Sequence, residues 1–129
     1  MKRSLTELEK TDSLDLGPEF EFTSLHQTCF TIDSMEYTYE FCAFGSATQR
    51  AKGSGSGGTS LGTFEGWVSE SGNPHAAMKF AKGQHCYGGP SRSLLVRFRC
   101  GEYNEVTLVE EPSKCEYAMD FRTPLSCVL

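Results

Sequence analysis

The chain's 129 residues amount to one domain, and with 38% apolar residues and 13 glycines it can bury a core but has little apolar surplus with which to do so. A net charge of −5 without a basic patch speaks against a nucleic-acid partner. The sequence also lacks an apolar run of the roughly 18 residues that a membrane-crossing helix requires.

In chain order, "MKRSLTELEKTDSLDL" predicts a short helix over 1–16, with Ser4 as cap and Glu7 in the capping-box position. Such a helix is expected to fray on its own. "GPEFEF" opens the domain proper, which divides the chain into a flanking segment, 1–19, and a folded domain, 20–129. "CFTIDSMEYTYEFCAF" reads as two strands about a turn at Asp33-Ser34, with Tyr37, Tyr39 and Phe41 on one face of the second. "GSATQRAKGSGSGGTSLG" changes regime: between Lys52 and Thr59 no side chain can anchor a core, which predicts a loop or linker, and the sequence does not fix the conformation of 43–62. "TFEGWV" resumes a strand, and "AAMKFAKGQHC" holds another with Met78 and Phe80 on one face. After "YGGPS" comes a strand over 92–100, then "EVTLVEE", broken at Pro112. "CEYAMDF" follows, with Cys115, Tyr117, Met119 and Phe121 on one side. About eight short strands with Gly/Pro turns predict an all-β barrel or sandwich.

Six cysteines, at 29, 42, 86, 100, 115 and 127, are an even number at irregular spacings, which predicts three disulfides formed in an oxidising compartment. Each bridge contributes about 2–4 kcal/mol, and the residues alone leave all the possible pairings open. There is no CxxC, and His85 beside Cys86 does not make a four-ligand set, so neither a metal nor another cofactor is expected. Without a visible signal peptide or lipidation signal, a domain of this secreted type is expected to be a piece of a longer precursor.

The strand over 92–100 contains one misfit. Counting back by twos from Cys100 gives Phe98, Val96, Leu94 and then Arg92, so an apolar face ends in a guanidinium. Glu111 shares parity with Val109 and Thr107, and Tyr117 with Cys115 and Met119. Buried charge persists only when paired and hydrogen-bonded. One reading is a rim salt bridge between Arg92 and Glu111. The other is a concave polar site at one end of a barrel, where Arg donates, Glu accepts and Tyr does either, matching a polyhydroxylated ligand. Enzyme chemistry finds little to work with. Glu110 points away from Glu111, so the two carboxylates of a glycosidase are missing. Ser93 and His85 lack a third orienting group. His26 and His75 read as surface or loop residues, and "KGSGSGG" is not a phosphate-binding loop.

"CYGGPSRSLLVRFRCG" followed by "EEPSKCEYAMDFRTPLSC", with "YTYEFCAFGSATQ", "SLGTFEGW" and "AMKFAKGQHC", resembles the mannose 6-phosphate receptor homology (MRH) lectin domain, in the form carried by the non-catalytic beta subunit of endoplasmic-reticulum glucosidase II. The resemblance covers roughly residues 20–129. It implies a flattened β-barrel of two antiparallel sheets with the pairings Cys29–Cys42, Cys86–Cys115 and Cys100–Cys127. The last two interleave, and breaking either is expected to loosen the pocket before the strands. It further implies that Gln49, Arg92, Glu111 and Tyr117 hold a terminal mannose: Gln49 and Arg92 at the axial 2-hydroxyl, Glu111 and Tyr117 at the 3- and 4-hydroxyls. The resemblance also implies Tyr37 and Tyr87 as candidate secondary carbohydrate contacts, Tyr87 standing where relatives of this subunit often carry Trp. No extra basic residue awaits a phosphate, which favours an unphosphorylated high-mannose N-glycan over mannose 6-phosphate. The implied role is a substrate-recruiting, non-enzymatic module in the endoplasmic-reticulum lumen, with a separate catalytic alpha subunit as partner. The alternatives are a lectin of the glycoprotein-degradation pathway, disfavoured by the single Trp67; the gamma subunit of the lysosomal-tagging phosphotransferase; and a β-fold interaction module with a vestigial pocket.

Overall fold

The computed structural model describes residues 15–17, 21–52 and 58–127. A 3-10 turn, Glu21–Leu25, leads into eight strands: β1 (Cys29–Asp33), β2 (Tyr37–Cys42), β3 (Ser46–Ala51), β4 (Thr59–Glu70), β5 (Asn73–Ala81), β6 (Ser93–Cys100), β7 (Glu105–Ser113) and β8 (Glu116–Thr123). They form one hydrogen-bonded sheet in the order β1-β2-β3-β4-β5-β6-β8-β7, antiparallel throughout except for the parallel pair β6 and β8. The edge strands β1 and β7 come against each other, so the sheet rolls into a nearly closed barrel. Across that seam Phe30 of β1 packs at a tilt against Phe121 of β8, with ring centroids 4.7 Å apart.

Period-2 alternation decides which side chains fill the barrel. Phe41, Met78, Phe80, Leu94, Val96, Met119 and Phe121 are fully buried, all from positions of inward parity. The predicted face of β6 is therefore observed, with Leu94, Val96 and Phe98 buried behind a half-buried Arg92. All three disulfides have the expected pairing. The β1–β2 turn is closed by the Ser34 N–H donating to the Tyr37 carbonyl at 2.8 Å. Between β4 and β5, Ser71 and Gly72 both take positive φ (50° and 82°), the two-residue hairpin geometry that matches strand twist.

Several expectations need amendment. Residues 46–51, whose conformation the sequence does not fix, form β3, because Ala47 fills the core while Thr48 and Gln49 pair with β4. The strand broken at Pro112 in fact runs on to Ser113. β7 is an edge with a register shift between Glu110 and Ser113, where a missing N–H is tolerated. A second shift between Val106 and Leu108 turns Thr107 out, so that Val106 and Val109 face inward and Glu111 shares parity with Val109 alone. His75 is not a surface residue: it lies on β5 with its side chain 11% exposed and its ring edge-on to Trp67 at 4.8 Å. Its Nε2 comes within 2.8 Å of Asp15 Oδ1, short of straight hydrogen-bond geometry, and Trp67 Nε1 donates to the Asp15 carbonyl at 2.6 Å. The predicted helix over 1–16 lies outside the described residues up to 14. Leu16 itself is buried against the barrel.

Candidate functional site

Register places the polar candidates at one mouth of the barrel. β2 begins there with Tyr37 and Tyr39, and β3 ends there, since Tyr39 pairs with Gln49 and Tyr37 with Ala51. β6 and β8 also begin there, with Ser93 opposite Glu116 and Leu94 opposite Tyr117, and β7 reaches it at Glu111.

Each of the four residues singled out is held by a specific contact. The Gln49 amide donates from Nε2 to Tyr39 Oη at 3.0 Å. Tyr117, 8% exposed, sets its ring 6.2 Å from that of Tyr39, which in turn stands 6.2 Å from Tyr37. Glu111 accepts the Cys115 N–H on Oε2 at 2.6 Å, and no second donor reaches this carboxylate among the described residues. Arg92 donates from Nη1 to the carbonyls of His85 (3.1 Å) and Gln84 (3.3 Å), while its buried Nε has no partner. An unpaired buried donor costs about 1–3 kcal/mol, a cost typical of a functional position. The rim salt bridge between Arg92 and Glu111 does not form: each charge is occupied by backbone groups, and no ion pair joins the two among the described residues.

Tyr39 is the member of the cluster that sequence reasoning placed on the right face without assigning it a role. Burial pushes its phenol up from the ordinary value. The Gln49 hydrogen bond opposes that rise, and the proximity of Tyr117, Glu111 and Tyr37 adds to it. The phenol is thus neutral at physiological pH and serves as both donor and acceptor. The alternation "YTY" marked the face, but nothing in it distinguished the tyrosine that orients Gln49 from the one at the rim. Tyr37 sits at that rim, 38% exposed, and Tyr87 projects into solvent at 94% exposure from the turn after Cys86.

The outer face carries the competing carboxylates. Arg97 donates from Nε to Asp120 Oδ1 at 2.7 Å and from Nη2 to Glu110 Oε1 at 3.1 Å. Burial alone would lower its pKa, but these two carboxylates outweigh it and hold the guanidinium above its ordinary value. Glu110 and Asp120 are therefore committed on the far side of the sheet from Glu111. A separate cleft of about 530 Å³ lies beside Asp15, Glu65 and Trp67. Among the described residues its side-chain acids supply acceptors without cationic donors, unlike the mixed set at the mouth. Cys29, Glu40 and Cys42 cluster at metal-binding distance, but both sulfurs are consumed in a disulfide.

Gly83 is a positioning element that no sequence signal disclosed. Its N–H donates to the Arg92 carbonyl at 2.8 Å, and a Cβ there would stand 2.6 Å from that oxygen and 2.7 Å from the backbone of Ser60 and Leu61. Because every neighbour is main chain, Gly83→Ala forces the Arg92 segment away from β4. The expected result is a loss of about 1–3 kcal/mol of stability with displaced NMR resonances of Arg92. Wild-type melting with an unmoved Arg92 side-chain resonance would show that the close approach does not fix the arginine.

The sequence matches the family described as "Glucosidase II beta subunit-like protein" over residues 1–129. It is 42% identical over 115 residues to the human protein named "Glucosidase 2 subunit beta", an alignment covering 89% of this chain and 22% of that one. The rice (Oryza sativa subsp. indica) protein of the same name is 41% identical over 119 residues, 91% of this chain and 18% of that one. The chain thus spans about a fifth of the length of these relatives. Among solved structures, the MRH domain of glucosidase II beta bound to mannose superposes with a TM-score of 0.64 at 28% identity, covering 82% of this chain and 99% of that one.

Proposed function

The chain belongs to the glucosidase II beta subunit-like family, and from that premise we propose that its barrel mouth binds a terminal mannose of high-mannose N-glycans. One observation carries the reading. A cationic donor, a carboxylate acceptor, an amide and phenols converge at one end of an MRH barrel, and a relative of that fold was solved with mannose bound. Gln49 and Arg92 take the axial 2-hydroxyl, Glu111 and Tyr117 the 3- and 4-hydroxyls, with Tyr37 and Tyr87 as outer contacts. The mixture suits a neutral polyol, because each hydroxyl both donates and accepts. Loss of any one hydroxyl would strand a partner that the site holds ready.

The proposed role is recruitment without bond chemistry. In the endoplasmic-reticulum lumen the domain holds the glycan of a substrate glycoprotein while a separate catalytic alpha subunit trims glucose from the same glycan. A small site for one well-hydrated sugar binds weakly. Its benefit is effective concentration, which needs no tight complex. Glu110 and Asp120 are paired with the Arg97 guanidinium on the outer face, so neither stands beside Glu111 as the second acid that glycoside hydrolysis uses.

The test is an NMR titration of the domain with methyl α-mannoside, α-linked mannobiose and methyl α-glucoside. Mannosides are expected to shift resonances of Arg92, Gln49, Glu111 and Tyr117, with the glucoside at least tenfold weaker, about 1.4 kcal/mol. Equal response to mannose and glucose, or no response at these residues, would overturn the proposal.

A further inference from the structure

We propose that the Cys86–Cys115 disulfide is the positioning element of the sugar site, so that opening it switches binding off and bound mannoside in turn protects it from reduction. The inference rests on the mannose-binding reading above and adds a control to it. One half of this bridge is hydrogen-bonded to a charged residue of the mouth, and the other adjoins the residues that hold the second. On one side, the Cys115 N–H donates to Glu111 Oε2 at 2.6 Å. That N–H is aimed by a left-handed backbone, φ 65°, unfavourable for a residue with a Cβ and held by its surroundings. The Cys115 carbonyl meanwhile accepts from the N–H of Ser93, the residue after Arg92, at 3.3 Å. On the other side, Cys86 directly follows His85 and Gln84, whose carbonyls grip the Arg92 guanidinium.

The segment between β5 and β6 that carries these carbonyls is bonded to Arg92 and Ser60 at Gly83 and Gln84, but from His85 on it has an isolated bridge, His85 to Ser91, in place of a ladder. The disulfide is its covalent tie to the start of β8. The two cysteines are 5% and 3% exposed, and Gly89 covers them so closely that a Cβ there would lie 3.6 and 3.7 Å from the sulfurs. The other bridges are placed differently. Cys29–Cys42 joins residues already paired in the β1–β2 ladder, and Cys100–Cys127 closes the opposite end of β6. Neither is bonded to a residue of the mouth. The expectation that both interleaved bridges support the pocket therefore narrows to one.

Opening is ordinary exchange with a dithiol reductant. A thiolate of the dithiol attacks one sulfur and releases the other as a thiol, and the second thiol of the reductant resolves the mixed disulfide. The protein gains two electrons and two protons, and the reductant leaves as its disulfide. If the closed bridge favours sugar binding by some factor, bound sugar must favour the closed bridge by the same factor.

The experiment has two arms on the oxidised domain. In the first, mannobiose is titrated into wild type, Cys86→Ser/Cys115→Ser and Cys100→Ser/Cys127→Ser. The first variant is expected to lose about tenfold or more in affinity, with amide resonances of Met78, Val96 and Met119 in place. The second is expected to bind as wild type. In the second arm, wild type is brought to equilibrium in mixtures of reduced and oxidised dithiothreitol with saturating mannobiose or glucose, and the open fraction of each pair is read by alkylation and peptide mass mapping. Mannobiose is expected to lower the open-to-closed ratio of Cys86–Cys115 by about tenfold and leave the other pairs unchanged, which decides the matter even where the serine variant does not fold. Wild-type affinity in Cys86→Ser/Cys115→Ser, or an equal change or no change in all three pairs, overturns this inference alone. Failure of oxidised wild type to bind mannobiose overturns the binding reading and this inference together.

Discussion

Arg92→Ala is expected to abolish detectable mannoside binding while the domain melts within a few degrees of wild type. The two effects separate because of what the guanidinium touches. It forms no ion pair among the described residues, only bonds to the carbonyls of Gln84 and His85, which lie in an irregular segment where water can replace it. Its Nε is buried without a partner, so removing the side chain also relieves a desolvation cost. Stability should change by no more than about 1 kcal/mol. Binding, in contrast, loses one or two charge-assisted hydrogen bonds at about 1.5–3 kcal/mol each. A loss of roughly tenfold to ten-thousandfold takes a weak single-sugar site beyond measurement. Arg92→Lys should not rescue it, since a single ammonium cannot span two carbonyls and a hydroxyl as a planar fork does. Thermal melts alongside the mannoside titration check the pair of outcomes. An Arg92→Ala protein that binds within threefold of wild type would remove the arginine from the site. One that unfolds would make it a structural residue of the β5–β6 connection.

What the sequence disclosed and what it hid divide along a physical line. Strands with unbroken alternation were legible: β6 and β8 read correctly because Leu94, Val96, Phe98 and Tyr117, Met119, Phe121 keep period 2 without a bulge. β7 was misread at both irregularities. A bulge changes parity without leaving a mark in composition, and a proline is diagnostic only if one knows whether its strand is an edge. The order β6-β8-β7, with its parallel pair, is a property of long-range register that no local window contains. The charged candidates stood out as polar residues on apolar faces, but their partners did not. Main-chain groups of Gln84, His85 and Cys115 hold them, and backbone hydrogen-bonding capacity is the same at every position of a sequence. That is why the rim salt bridge suggested itself: side chains were the only partners in view. His75 was hidden for a related reason, since its neighbours Trp67 and Asp15 come from β4 and from the segment before the barrel.

Phe121→Ala is expected to have the largest effect on the stability of the barrel that carries this mouth. Phe121 is fully buried in β8. Its ring lies 4.7 Å from Phe30 of β1, 5.2 Å from Phe41 of β2 and 5.1 Å from Phe98 of β6, the last two edge-on. It thereby joins the edge strand β1 and its neighbour β2 to β6 and β8, beside the seam where β1 and β7 meet without a ladder among the described residues. Truncation removes the ring's transfer energy and leaves a cavity whose walls are themselves rings that cannot collapse easily. Such losses run to about 3–5 kcal/mol, or roughly 10–20 °C in melting temperature for a domain of this size. Phe121→Leu, which keeps most of the volume, should cost about 1.5 kcal/mol or less. Because Phe121 lies two turns of the pleat beyond Tyr117, the fraction of Phe121→Ala that remains folded at low temperature should bind mannoside as wild type does. Calorimetric melts with a cold titration read both numbers. A shift of only a few degrees would mean that the seam is held by the three disulfides and not by the aromatic stack. A folded Phe121→Ala domain with lost affinity would mean that barrel closure and mouth geometry are one cooperative unit.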